Sequence, residues 1–105
     1  MASEAALQRA IKKAILTRWS GASWVIKTHG SQYQAGVPDL LVVVKSAFIA
    51  FEVKLPGREH TLTRLQAAEI QNIRNAGAHA FVVVTVDDAI KKVEEVTDGA
   101  KEDAG

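Results

Sequence analysis

Cysteine is missing from the chain altogether, which excludes disulfides and thiolate metal sites and is compatible with a reducing cytosol. Long apolar runs are missing too. No stretch approaches the roughly 20 residues that a membrane-crossing helix needs, and the polar start Met1-Ala2-Ser3-Glu4 carries no signal-peptide pattern. These absences weigh against membrane insertion and secretion, and the expectation is a cytoplasmic protein. There is no internal repeat and no low-complexity tract.

What remains is an ordinary globular composition, 48% hydrophobic and 24% charged over 105 residues. That is enough chain for one domain with a core burying about two thirds of its unfolded surface. The net charge of +1 hides an uneven distribution. Residues 1–85 hold ten Lys or Arg against five Asp or Glu, and the last twenty residues hold three against seven. A basic body with an acidic end suits a polyanionic partner, because neutralised phosphates release counterions. A solvated surface of mixed charge gives the same numbers.

Ser3 is placed to cap a first helix from Glu4 to about Trp19, with an apolar stripe Leu7, Ile11, Ala14 and Ile15 that also carries Glu4. After Ser20-Gly21 a short strand, Trp24 to Thr28, leads to the polar loop 29–36. Two strands rich in β-branched and aromatic residues follow, about Asp39 to Val44 and Phe48 to Lys54, ended by Pro56-Gly57. Thr63-Arg64-Leu65-Gln66 has capping-box spacing and opens a helix to about Ala76, stopped by Gly77. A strand from Ala80 to Thr85 and a helix from about Asp87 to Val96 complete the order. The expected architecture is α/β, an α-β-β-β-α-β core in which one mixed four-stranded sheet is flanked by helices. Residues 1–97 form the domain and 98–105 a flexible acidic tail. Trp19 and Trp24 are expected in the core.

The middle two strands carry the chemistry. Period-2 alternation puts Phe48, Ala50, Glu52 and Lys54 on one face, and a turn near Lys45-Ser46-Ala47 brings Asp39 beside Glu52 and Lys54. Two bare carboxylates about 5 Å apart at an effective dielectric of about 20 repel by roughly 3 kcal/mol. A proton or a cation must relieve this, and oxygen ligands favour a hard ion such as magnesium. The structural alternatives are a strand-opening turn at Asp39 and a solvated charge pair at Glu52 and Lys54, but a strand this apolar does not suit a sheet edge. None of His29, His60 and His79 has a partner at ligand spacing, which sets zinc aside.

Gly36-Val37-Pro38-Asp39 followed by Glu52-Val53-Lys54 resembles the PD-(D/E)XK signature of the restriction-endonuclease-like superfamily. Glu4 on a leading helix, Lys27-Thr28-His29-Gly30, Gly36-Val37-Pro38-Asp39-Leu40, Glu52-Val53-Lys54-Leu55-Pro56-Gly57 and Thr63-Arg64-Leu65-Gln66 together look like the virus-type replication-repair nuclease (VRR-NUC) family in a stand-alone minimal form, over roughly Glu4 to Val86. The resemblance implies phosphodiester hydrolysis with Mg2+ or Mn2+ held by Asp39, Glu52 and the backbone carbonyl of Val53, with Glu4 contributing to metal or water positioning. It also implies that Lys54 orients the attacking water and that Gln66 supports the site. Glu4 has a second explanation, since an acid in a first helical turn complements the helix dipole. Gln66 has one too, as the last residue of a capping box. Lys27, His29, Ser31 and Tyr33, with Arg58 and Arg64, are candidates for contacts to DNA phosphates.

The resulting expectation is an Mg2+-dependent, structure-selective DNA endonuclease, without an appended helicase or recognition domain. By family resemblance it would act on four-way (Holliday) junctions in DNA repair, as a homodimer in a bacterial or phage-infected host cytosol. The last helix, with Val86, Ala89, Ile90 and Val93 at helical spacing, is the candidate dimer face. The alternatives are a flap or single-strand nuclease with little structural preference, and a non-catalytic DNA-binding module of the same fold.

Overall fold

The computed structural model describes residues 3–28 and 35–104, with side chains through residue 98. Helix α1 (Glu4–Arg18) starts where the extended Ser3 accepts a 3.0 Å hydrogen bond from the Ala6 N–H, meeting one of the helix's orphan donors. Its inward residues are Gln8, Ile11 and Ile15. Strands β1 (Ser23–Lys27), β2 (Leu40–Val44) and β3 (Ala47–Val53) form an antiparallel meander. Helix α2 (Arg64–Asn75) crosses over to β4 (His79–Val83), which pairs parallel with β3. The sheet order is β1-β2-β3-β4, so β3 is an interior strand.

The hairpin closes through Lys45 and Ser46, both at positive φ (50° and 69°), between the paired Val44 and Ala47. A two-residue loop with both φ values positive matches the right-handed strand twist, although neither side chain prefers that region.

The two sheet faces are filled differently. Beneath α1 and helix α3 (Val86–Ala104), Val42, Ile49, Phe51 and Val53 pack with Ile11, Ile15, Ala89 and Val93. On the opposite face α2 lays Ile70 over Ala50 and Ala80. Three expectations are corrected here. Trp24 is 51% exposed rather than core: alternation turns its neighbour Val25 inward, while α2 packs on β3 and β4 and leaves Trp24 open. The last helix does not end near Val96 as expected but runs to Ala104. Its stripe is no free dimer face, because Ala89 and Val93 are fully buried in the protomer's own core and Val86 and Ile90 pack against it.

Candidate active site

Leu40 pairs with Phe51 in the antiparallel register, so one step further Asp39 stands across from Glu52. Because β3 has a neighbour on each side and α2 above it, Glu52 is only 2% exposed and Lys54 is 7% exposed. Asp39 Oδ2 accepts a 2.8 Å hydrogen bond from the Val53 N–H, which draws the carboxylate over the β3 backbone between Glu52 and Lys54. Lys54 Nζ lies 3.8 Å from Glu52 Oε2. The three side chains that the sequence pattern placed together do converge.

This neighbourhood disfavours ionised Glu52. Burial is the largest cause, followed by the negative charge of Asp39 and a hydrogen bond within the carboxyl pair. Glu4 adds further repulsion, Lys54 opposes it, and the net effect pushes the Glu52 carboxyl from 4.5 up to about 8. Glu52 Oε1 is fully buried without a hydrogen-bond partner. A buried carboxylate oxygen left unsatisfied is costly. The carboxyl pair therefore lacks one positive partner, and either a proton shared by the pair or a cation would satisfy it. Two carboxylates form a hard-oxygen donor set suited to magnesium or manganese. Among the described residues no three acidic or imidazole side chains gather to cage an ion, so the acidic donors at hand are the pair.

Gln66 fulfils both roles that the sequence allowed. Its Oε1 accepts from the Thr63 N–H at 2.9 Å while its backbone N–H donates to Thr63 Oγ1 at 3.1 Å, closing the capping box of α2. The amide is thereby oriented with Nε2 outward, and Nε2 donates to Glu52 Oε2 at 3.1 Å.

Two supporting residues, Thr28 and Gly36, stand in the ordered motifs but receive no role from the sequence, and a third, the polar Gln8, is buried near Glu4 in the chain. Thr28 is buried at the end of β1, and its Oγ1 donates to the carbonyls of Pro38, at 2.8 Å, and Asp39, at 3.3 Å. A threonine beside a loop gives no sequence signal of this, since the partner is ten residues away. Gly36 has φ +89°, and a Cβ there would meet the Leu65 carbonyl oxygen at 2.6 Å. The loop that delivers Asp39 is thus pressed against the turn of α2 that delivers Gln66. Gln8, one turn beyond Glu4 on the inward side of α1, is 8% exposed; its hydrophobic-helix context concealed a buried amide.

Of the expected DNA contacts, His29, Ser31 and Tyr33 lie outside the described residues. Lys27 is half-buried, paired with Leu40 immediately beside Asp39. Arg58 and Arg64 are exposed, the first before a 3-10 turn at Glu59–Thr61 and the second as the first residue of α2, two positions from Gln66.

A mixed four-stranded sheet flanked by helices, with its acidic pair at the end of the central hairpin, defines a restriction-endonuclease-like α/β domain. Solved structures share the fold, and two of them show the likeness to this chain. One, a VRR_NUC domain, is 26% identical, with a TM-score of 0.63 over 82% of this chain and 92% of the other. The second, a VRR_NUC domain protein, is 17% identical, with a TM-score of 0.68 over 90% of this chain and 87% of the other. No protein-family model and no curated protein matches the sequence. The likeness to VRR_NUC domains that the ordered motifs carry is thus matched by the three-dimensional fold. No described helix is long and apolar enough to cross a membrane.

Proposed function

We propose that this domain is a divalent-metal-dependent endodeoxyribonuclease that acts on branched DNA, four-way junctions foremost, as a two-fold dimer. The VRR_NUC neighbours suggest a nuclease domain. The observation that carries the reading is the buried Asp39–Glu52 pair with one unsatisfied oxygen and the Lys54 ammonium alongside.

Asp39, Glu52 and the Val53 carbonyl would hold magnesium or manganese. When bound, such an ion lowers the pKa of its water and offsets charge that develops on the phosphate. Lys54 holds and orients the attacking water, and its ammonium offsets the transition-state charge. Gln66 spends one donor on Glu52 Oε2 and so fixes which oxygen is free for the ion. Glu4 stands near enough for its charge to bear on Glu52 and helps to place the water. Lys27, Arg58 and Arg64, at the same end of the molecule, engage backbone phosphates and position the strand without reading bases.

A dimer with two sites related by a two-fold axis suits paired incisions across a symmetric junction. The test is a panel of labelled junction, flap, duplex and single-strand DNAs, each with Mg2+ and with chelator, alongside the solution mass. Metal-dependent cutting of the junction by a dimer supports the reading. Cutting of flaps or single strands in preference defeats the junction claim, a monomeric mass defeats the dimer claim, and binding without turnover defeats the enzyme.

A further inference from the structure

Asp39 is held from two sides, and only one of them is a contact to its carboxylate. We propose that Thr28 is a positioning residue for this ligand: its hydroxyl fixes the backbone from which the Asp39 side chain reaches the site. The inference rests on the reading of Asp39 as a metal ligand.

Pro38 has no N–H, so the strand that delivers Asp39 begins at a residue unable to donate a ladder hydrogen bond. Thr28 ties this unit through its carbonyls instead. Its N–H donates to the Asp39 carbonyl at 2.9 Å. Its Oγ1 donates to the Pro38 carbonyl at 2.8 Å and lies 3.3 Å from the Asp39 carbonyl. Both carbonyls of the Pro38-Asp39 unit are therefore tied to one residue, the one that directly follows β1. The Asp39 carboxylate is tied on the other side to the Val53 N–H of β3.

The setting is buried. Thr28 is 8% exposed and Pro38 is fully enclosed, so loss of the hydroxyl leaves the Pro38 carbonyl without a replacement donor from bulk water. Because Leu40 pairs with Lys27 and with Phe51, Thr28, Asp39 and Glu52 occupy one cross-strand row. A shift of the Pro38-Asp39 unit thus changes the separation of the two carboxylates directly, and ligand geometry is sensitive to such outer partners.

The test compares Thr28→Val, which keeps the shape and removes the hydroxyl, with Thr28→Ser, which keeps the hydroxyl and removes the methyl. Direct titration with Mn2+ in the absence of DNA is the primary readout. Thr28→Val is expected to weaken Mn2+ binding about tenfold and to raise the Mg2+ needed for half-maximal cleavage by a similar factor, with KM for DNA unchanged. Thr28→Ser should stay within about twofold of wild type on the same scale. The Val53 amide proton shift in metal-free Thr28→Ser and Thr28→Ala provides a second measurement: it should hold in the serine variant and move in the alanine variant. Wild-type Mn2+ affinity in Thr28→Val, or equal impairment of the valine and serine variants, overturns the role of the hydroxyl alone. Failure of the wild-type protein itself to bind Mn2+ overturns the site reading beneath it as well.

Discussion

Gln66 donates to Glu52 at 3.1 Å with the same amide whose oxygen caps its own helix at 2.9 Å. The helix start and the active-site acid are therefore tied through one side chain, and a single substitution can separate the two roles. Gln66→Glu retains a capping-box acceptor but sets another carboxylate against Glu52. We expect helix stability within about 0.5 kcal/mol of wild type and a cleavage rate lower by at least about tenfold. Gln66→Ala loses both, with about 1 kcal/mol of stability removed in denaturant unfolding.

The raised pKa of Glu52 makes the metal-free protein sensitive to pH. Its folded value of about 8 exceeds its ordinary value of 4.5, so between these limits the native state keeps a proton that the unfolded chain has released. The contribution to stability is fully present below 4.5 and is lost as pH rises through about 8. Unfolding measured across that window should show a decline on the order of a few kcal/mol from this group, flattened in Glu52→Gln. Mn2+ competes with the same proton, so its affinity should rise by up to about tenfold per pH unit below the folded value.

The Lys54 ammonium lowers the Glu52 pKa against burial and the neighbouring acids. Lys54→Met should leave the acid pair without its nearby ammonium, push Glu52 further toward its protonated form and reduce cleavage by about a hundredfold or more. Lys54→Arg should rescue little, since the planar guanidinium does not replace a compact ammonium in a site this enclosed. Steady-state cleavage at matched Mg2+ measures both.

Gly36 and Gly57 both adopt positive φ, at +89° and +83°, yet only Gly36 has a backbone against it. Gly57→Ala should cost about 1 kcal/mol from conformation alone. Gly36→Ala adds a clash with the Leu65 carbonyl and should cost about 2–3 kcal/mol or more, with reduced activity because Leu65 precedes Gln66. Chemical denaturation of both variants provides the comparison.

The sequence was most legible where local chemistry and period agreed. The Thr63 capping box, the Ser3 cap and the shared face of Glu52 and Lys54 are all short-range patterns, and the hairpin turned within one residue of the expected place. Asp39 could be set beside Glu52 because the register of a tight hairpin is dictated by its loop. Trp24 was misjudged because burial of a strand face depends on which helix covers it, and α2 stops short of β1. The Val86–Val93 stripe was ambiguous because an apolar helix face looks the same whether it covers its own sheet or a partner. Thr28 and Gly36 were invisible as supports, since their contacts are to residues brought near only by the fold.

The most direct measurement is Mn2+ titration and Mg2+-dependent junction cleavage by wild-type, Asp39→Asn and Glu52→Gln proteins under one buffer. The account predicts one divalent-ion requirement in the wild type, and in each variant Mn2+ affinity weakened by about tenfold or more, together with near-abolished cleavage. Unchanged Mn2+ binding and undiminished cleavage in both variants would contradict it.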